Sequence, residues 1–125
     1  MMLLDTHVFL WYVLADPGLS ESALCKIQTS DRVFVSIASF WEINIKKSTG
    51  KLDFPFTVEK AAFDFKNHGI DILPIKPVHL DRLLSLPYIH KDPFDRLLIA
   101  QALSEDMTII TRDEKIPLYA VKTAW

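Results

Sequence analysis

The sequence predicts a three-layer α/β/α sandwich built on a mostly parallel sheet of four to five strands. Two observations carry this. Four short apolar segments, Leu3-Leu4, Val33-Phe34-Val35, Ile70 to Leu73 and Thr108-Ile109-Ile110, are separated by longer stretches with helical character. Strands joined through helices need crossover connections, and such connections give parallel pairing. The strands are also largely apolar, Asp71 being the one charged residue, rather than regularly alternating. That pattern fits a sheet covered on both faces.

The elements run in this order. After Leu3-Leu4, residues Thr6 to Ala15 form a helix that is apolar nearly all round, hence buried. Asp16-Pro17-Gly18 breaks it. Ser20 to Thr29 is a second helix with Ser20 as its N-cap. The strand Val33 to Val35 leads to a helix over Ser39 to Ser48, which stops near Gly50. Thr57 to His68 is helical and ends at Gly69. Ile70 to Leu73 is closed by Pro74, and Val78 to Leu86 is a short helix. Pro93 to Glu105 is a strong helix with proline at its first position. The strand Thr108 to Ile110 comes next, and Leu118 to Val121 is a candidate fifth strand.

Composition bounds the remaining choices. The chain has 125 residues, about one domain's worth, so residues 1–125 are read as a single domain. Half the residues are hydrophobic and 24% are charged, the balance of a folded globule. Cys25 is the single cysteine, which excludes an internal disulfide and a multi-cysteine metal site. The longest apolar run, Val8 to Ala15, is far short of the roughly 20 residues that cross a bilayer. The N-terminus has no basic start and no small-residue cleavage site, so the expected location is cytoplasmic, with no membrane partner. The net charge of -2 gives no bulk positive field. A polyanion would have to be handled locally, by metal ions or by a few placed lysines and arginines.

In folds of this class, ligands bind beyond the carboxyl ends of the strands. Acids collect there. Asp5 comes directly after the first strand, and Glu42 lies in the helix after the second. Asp113 comes after the fourth, and Asp95 opens the helix leading into it. Each has a local explanation as well. Asp5 and Asp92 suit helix N-caps. Ser39-Phe40-Trp41-Glu42 matches a capping box, and Glu42 can pair with Lys46 one turn on. Asp113 suits a surface turn. Capping explains an acid at a helix start, but not several at one end of one sheet. Two carboxylates about 4 Å apart repel by about 4 kcal/mol at an effective dielectric of 20. A divalent cation relieves this, and an all-oxygen set favours Mg²⁺ or Mn²⁺ over Zn²⁺. The histidines His7, His68, His79 and His90 show no zinc-type spacing.

At these residues the chain resembles the PIN-domain family, and within it the VapC-type toxin ribonucleases of toxin-antitoxin pairs. The matching segments are Leu4-Asp5-Thr6, Glu42, the block Asp92-Pro93-Phe94-Asp95-Arg96-Leu97-Leu98-Ile99-Ala100, and Thr111-Arg112-Asp113. The resemblance implies a PIN-like fold in which Asp5, Glu42, Asp95 and Asp113 converge on Mg²⁺ or Mn²⁺. Asp5 and Asp95 would be the best ligands, with Glu42 and Asp113 binding directly or through water. Thr6, Ser36 and Thr111 would be hydroxyls supporting the acids. It further implies endonucleolytic cleavage of single-stranded or loop RNA by a metal-activated water, a homodimer, and an antitoxin that blocks the site. Many relatives carry Asn where this chain has His7, which is read as a supporting or packing residue. His90 is read as an exposed loop histidine.

RNA contacts would come from basic residues near these motifs, namely Lys46, Lys47, Lys91, Arg96 and Arg112. Trp11 and Trp41 are assigned to core packing. Two other enzyme classes fail on residues. Haloacid-type phosphatases need Asp two residues after the first, where His7 stands. Phospho-receiver domains need Asp at the end of strand three, where Leu73-Pro74 stands. The alternative that survives is a non-catalytic PIN-like RNA- or protein-binding module, which a missing acid would favour. All four acids are present.

Overall fold

The computed structural model describes residues 1–125. In chain order the elements are β1 (Met2–Leu4), α1 (Thr6–Val13), α2 (Glu21–Thr29), β2 (Val33–Ser36), α3 (Ile37–Ser48) and α4 (Val58–Lys66). Then come β3 (Ile70–Leu73), α5 (Pro77–Leu83), α6 (Pro93–Glu105), β4 (Thr108–Ile110), a 3-10 turn at Ile116–Leu118 and β5 (Lys122–Ala124). The sheet has five strands in the order β3-β2-β1-β4-β5, and every neighbouring pair is parallel.

Alternation along the strands divides the interior into two layers. Leu4, Val33, Val35, Ile70 and Ile110 face the side that packs with α1 to α4 around Phe9, Phe40 and Ile43. Leu3, Phe34, Leu73 and Ile109 face the side that packs with α6 around Leu98, Ile99 and Ala102. The three-layer arrangement is therefore the one predicted, with β1 at the centre.

The central place of β1 matters most. Leu4 is level with Val35 of β2 and with Ile110 of β4. Asp5, Ser36 and Thr111, the residues just beyond these levels, thus emerge side by side at one edge. The helix α6 feeds the opposite end of β4, so its first turn lies at that same edge.

Most boundaries agree with the sequence, and α6 agrees residue for residue. The first helix ends at Val13 rather than Ala15 and α5 at Leu83 rather than Leu86. Two other differences have identifiable reasons. The third helix starts at Ile37 rather than Ser39, because Ser36 is the N-cap and its hydroxyl accepts the Ala38 N–H at 3.0 Å. The Ser39-Glu42 capping box is therefore not formed. Ser39 lies inside the helix, and its hydroxyl accepts a hydrogen bond from that of Thr6 at 2.9 Å. The fifth strand lies at Lys122–Ala124 rather than Leu118–Val121. The 3-10 turn first drops Ile116 and Tyr119 into the core.

Buried polar groups tie the second layer together. Gln101 of α6 is fully enclosed. Its Oε1 accepts the Ser36 hydroxyl at 2.6 Å, and its amide donates to the Pro74 carbonyl at 3.2 Å. Nearby, Lys76 N–H donates to Nδ1 of buried His79, whose Nε2 meets Glu105 at 2.9 Å. These bonds hold the ends of β2 and β3 to α6. Replacing Gln101 by Leu strands a hydroxyl and a carbonyl in the interior, which costs about 1–3 kcal/mol for each unpaired group. Equilibrium urea unfolding of Gln101→Leu should show a loss of about 2 kcal/mol or more with an unchanged m-value. A variant as stable as the parent would show that water replaces the lost amide.

Candidate active site

Asp5 caps α1. Its Oδ1 accepts the N–H of His7 at 2.7 Å and of Val8 at 3.4 Å. Its Oδ2 accepts the hydroxyl of Thr111 at 2.6 Å. Thr111 Oγ1 in turn accepts the Asp113 N–H at 2.9 Å. Asp113 Oδ1 closes the next turn, accepting Lys115 N–H at 2.7 Å and Ile116 N–H at 3.0 Å. Its Oδ2 lies 3.2 Å from Nε2 of His90. Asp95 stands in the first turn of α6, after the cap Asp92, whose Oδ1 accepts the N–H of Phe94 and of Asp95. Glu42 is buried one turn into α3. Its Oε2 pairs with Lys46 at 3.0 Å, while its Oε1 is enclosed with no hydrogen-bond partner.

The four acids act on one another electrically. Burial raises the Asp95 carboxyl first, and the charges of Asp92, Asp5, Glu42 and Asp113 push it further, to about 8. Asp113 moves the other way. Burial raises it, but the Ile116 and Lys115 N–H groups and the His90 ring outweigh that and hold it below the ordinary value. Two adjacent carboxyls are thus driven apart, one towards the protonated and one towards the ionised form.

His90 sits between them. Its Nε2 is 3.0 Å from Asp95 Oδ2 as well as 3.2 Å from Asp113 Oδ2. One ligand-type atom from each of His90, Asp95 and Asp113 falls within 4.8 Å of the others. The Asp92 N–H donates to His90 Nδ1 at 3.2 Å. With Nδ1 accepting, the ring N–H lies on Nε2, within hydrogen-bond distance of both carboxyl groups. In the metal-free protein His90 is therefore placed as a donor to both acids. The acids themselves offer oxygen donors, and Glu42 keeps a buried Oε1 with no partner, a set that suits a hard divalent cation.

Several sequence expectations need correction. His90 is buried, not an exposed loop residue. Arg96 is not presented to the cleft. It is buried, donates to the carbonyls of Pro87 and Leu86 and to the Tyr119 hydroxyl, and stacks over Tyr88 at 4.0 Å. The Tyr119 hydroxyl also accepts the N–H of His90 at 2.8 Å, so Arg96 and Tyr119 fix the backbone that carries the His90 ring. Of the three hydroxyls, Thr111 touches an acid, whereas Thr6 bonds Ser39 and Ser36 bonds Gln101. Lys46 lies at the site through Glu42, and Lys91 is exposed beside Asp92. Lys47 turns away to the Phe56 carbonyl. Trp41 is 58% exposed and meets Phe94 edge-on, so it is not core.

Asp5 and Asp113 open onto a cleft of about 510 Å³ that is also lined by His7, Trp11, His90, Arg112, Glu114 and Lys115, whereas Glu42 and Asp95 do not line it. Sequence reasoning missed His90, Tyr119 and Trp11. The one signal for His90 was its place two residues before the Asp92 cap, and nothing local marked Tyr119.

Comparison with known proteins agrees with this geometry. The PIN domain profile matches residues 2–122. The chain is 25% identical over 116 residues to ribonuclease VapC22 of Mycobacterium tuberculosis, covering 92% of this chain and 88% of that one. Its fold is similar to that of VapBC2 from Rickettsia felis bound to a promoter DNA fragment, with a TM-score of 0.71, 13% identity and coverage of 98% and 96% of the two chains. FitAcB from Neisseria gonorrhoeae is similar at a TM-score of 0.65, 18% identity and coverage of 98% and 96%. With the profile spanning nearly the whole sequence, and Asp5, Glu42 and Asp113 all acting on the charge of Asp95, the chain belongs to the PIN-domain family.

Proposed function

We propose that this protein is a metal-dependent endoribonuclease that cuts single-stranded or loop RNA, and that it serves as the toxin of a toxin-antitoxin pair. The observation that carries the chemistry is the acidic cluster itself, with a buried Glu42 oxygen lacking any partner and an Asp95 carboxyl pushed up to about 8. Asp5, Glu42, Asp95 and Asp113 would hold Mg²⁺, with Mn²⁺ as the substitute. A bound divalent ion lowers the pKa of water and neutralises the oxygen that leaves the phosphodiester.

The chain's own residues prepare this. Asp5 is fixed by two backbone N–H groups through one oxygen and by Thr111 through the other. His90 holds Asp95 and Asp113 in register. Lys46 balances Glu42. Lys91 and Arg112, both exposed, would meet RNA phosphates. The likeness to ribonuclease VapC22 and to toxin-antitoxin complexes supports a cognate antitoxin as partner; a homodimer and a cytoplasmic setting are part of the same reading. No helix is long and apolar enough to cross a membrane.

The direct test separates charge from capping. Asn caps helices about as well as Asp, so Asp5→Asn keeps α1 while removing a carboxylate. Purified protein freed of its partner should cleave single-stranded RNA in Mg²⁺ and stop in EDTA. Asp5→Asn and Asp95→Asn should each lose about 100-fold or more, the scale of losing one well-placed charge stabiliser. Cleavage that persists in EDTA or in either variant would sink the mechanism.

The raised Asp95 carboxyl gives a second test. In the metal-free protein, the folded state keeps this proton up to about pH 8, while the unfolded chain releases it near the ordinary value of 3.8. The unfolded state therefore binds fewer protons between those limits, and metal-free stability falls as pH rises across that window. Asp95→Asn should flatten the fall and melt above the parent at pH 8, with the gap closing towards pH 4. Mg²⁺ binding near pH 7 should release up to one proton, visible as a calorimetric heat that depends on the buffer and vanishes in Asp95→Asn. A buffer-independent heat in the parent would refute the protonated Asp95.

A further inference from the structure

Arg112 lies between two residues already tied into the site. Thr111 before it bonds Asp5, and Asp113 after it meets His90. Its side chain is at the rim of the same cleft. Three carboxylates line that cleft, those of Asp5, Asp113 and Glu114, yet Arg112 forms neither an ion pair nor a hydrogen bond with any of them. It lies over the ring of Trp11 instead, with the guanidinium carbon 4.8 Å from the ring centroid.

The indole is itself held. Trp125 packs against it edge-on at 5.9 Å. Gly18 comes so close that a Cβ there would stand 3.1 Å from the indole Cε2. The magnitudes explain why the cation stays on the ring. An exposed cation–π contact contributes about 0.5–1 kcal/mol, and an exposed ion pair contributes about the same or less. A ring fixed in place is thus enough to keep the guanidinium off the neighbouring acids. Arg112 is exposed, and its guanidinium N–H groups have no hydrogen-bond partner. The planar fork they form matches the paired oxygens of a phosphate.

We propose that Trp11 and Arg112 together form a phosphate-holding subsite for the backbone of single-stranded RNA. Arg112 contacts the non-bridging oxygens of a phosphodiester lying in the cleft. Trp11 is a positioning residue that keeps this cation unpaired and aimed into the cleft. The subsite rests on the nuclease function proposed above and extends it to the way substrate is held next to a cluster of negative charge that would otherwise repel it.

The test reads binding and turnover separately. Fluorescently labelled single-stranded RNA is titrated in EDTA at several salt concentrations, and cleavage is then measured in Mg²⁺. Arg112→Ala should weaken binding about 10-fold and reduce the slope of log K against log salt by about 0.7, the value for one phosphate contact on a single strand. Its loss in cleavage should fall on KM rather than kcat. Arg112→Lys should recover the salt slope but not the full affinity. Trp11→Leu should weaken binding nearly as much as Arg112→Ala, Trp11→Phe less, and the double variant Trp11→Leu/Arg112→Ala no more than Arg112→Ala alone. Should Trp11→Leu fail to fold, Trp11→Phe and Arg112→Lys decide the matter. Unchanged binding in Arg112→Ala, or losses from Trp11 and Arg112 that multiply, would overturn the subsite while wild-type cleavage leaves the nuclease function standing. A wild-type protein that neither binds nor cleaves RNA would remove both.

Discussion

Like-charge repulsion at the carboxyl edge of the sheet is the constraint on which the rest of the molecule depends. Parallel pairing of β2, β1 and β4 in register brings three chain segments to one level, and α6 starts beside them. Carboxylates gathered this closely would splay or protonate if left to themselves. The fold answers by dividing the labour within each side chain. Asp5 gives one oxygen to the start of α1 and the other to Thr111. Asp113 gives one oxygen to its own turn and the other to His90. Backbone N–H groups and a single imidazole thus fix the geometry before any cation arrives. That is the preorganisation a charged reaction centre needs.

This division also explains why the local and the functional explanations of each acid are compatible. Asp5 and Asp92 do cap helices, Asp113 does close a turn, and Glu42 does pair with Lys46. A cap uses one carboxylate oxygen and leaves the other to face a second partner. Helix starts and strand ends are therefore efficient places to anchor a cation-binding group in a parallel α/β fold. Among the four acids, Glu42 alone keeps a buried oxygen with nothing to bond. An unpaired buried oxygen costs about 1–3 kcal/mol, more when charged, so it marks where the metal-free protein is least satisfied.

The fold was legible because its signals are local and repeated. Largely apolar strands pointed to the parallel sheet, and Asp92-Pro93 fixed the start of α6 to the residue. The acids were legible as a set because strand ends are the binding edge of such sheets. Their convergence was not, since it needs strand order, and strand order depends on packing between elements far apart in the chain. The residues that went wrong did so for the same reason. Arg96 is a charged residue in a motif, which suggests solvent, yet Tyr119, 23 positions on, supplies the partner that lets it be buried. His90 is a histidine in a loop, which also suggests solvent, yet it is enclosed by Asp95, Asp113 and Tyr119. The Ser39-Glu42 box failed because Ser36 offered an equivalent hydroxyl three residues earlier. Sequence alone cannot rank two serines that each satisfy the same cap.

Support for the site therefore reaches well beyond the residues that face the cleft. Arg96 and Tyr119 carry no chemistry of their own, yet they tie the Leu86 and Pro87 carbonyls and the His90 amide into one rigid loop. His90 can reach both carboxyl groups only if that loop holds its ring in place, and the Asp92 amide sets which nitrogen carries the proton. A chain of bonds thus runs from the arginine of the Asp-Arg pair in α6 to the acids at the sheet edge. The same α6 turn supplies both ends of it, Asp95 as the group that is clamped and Arg96 as the group that secures the clamp. Placing these two residues side by side at a helix start converts one local segment of sequence into both the charge and its restraint.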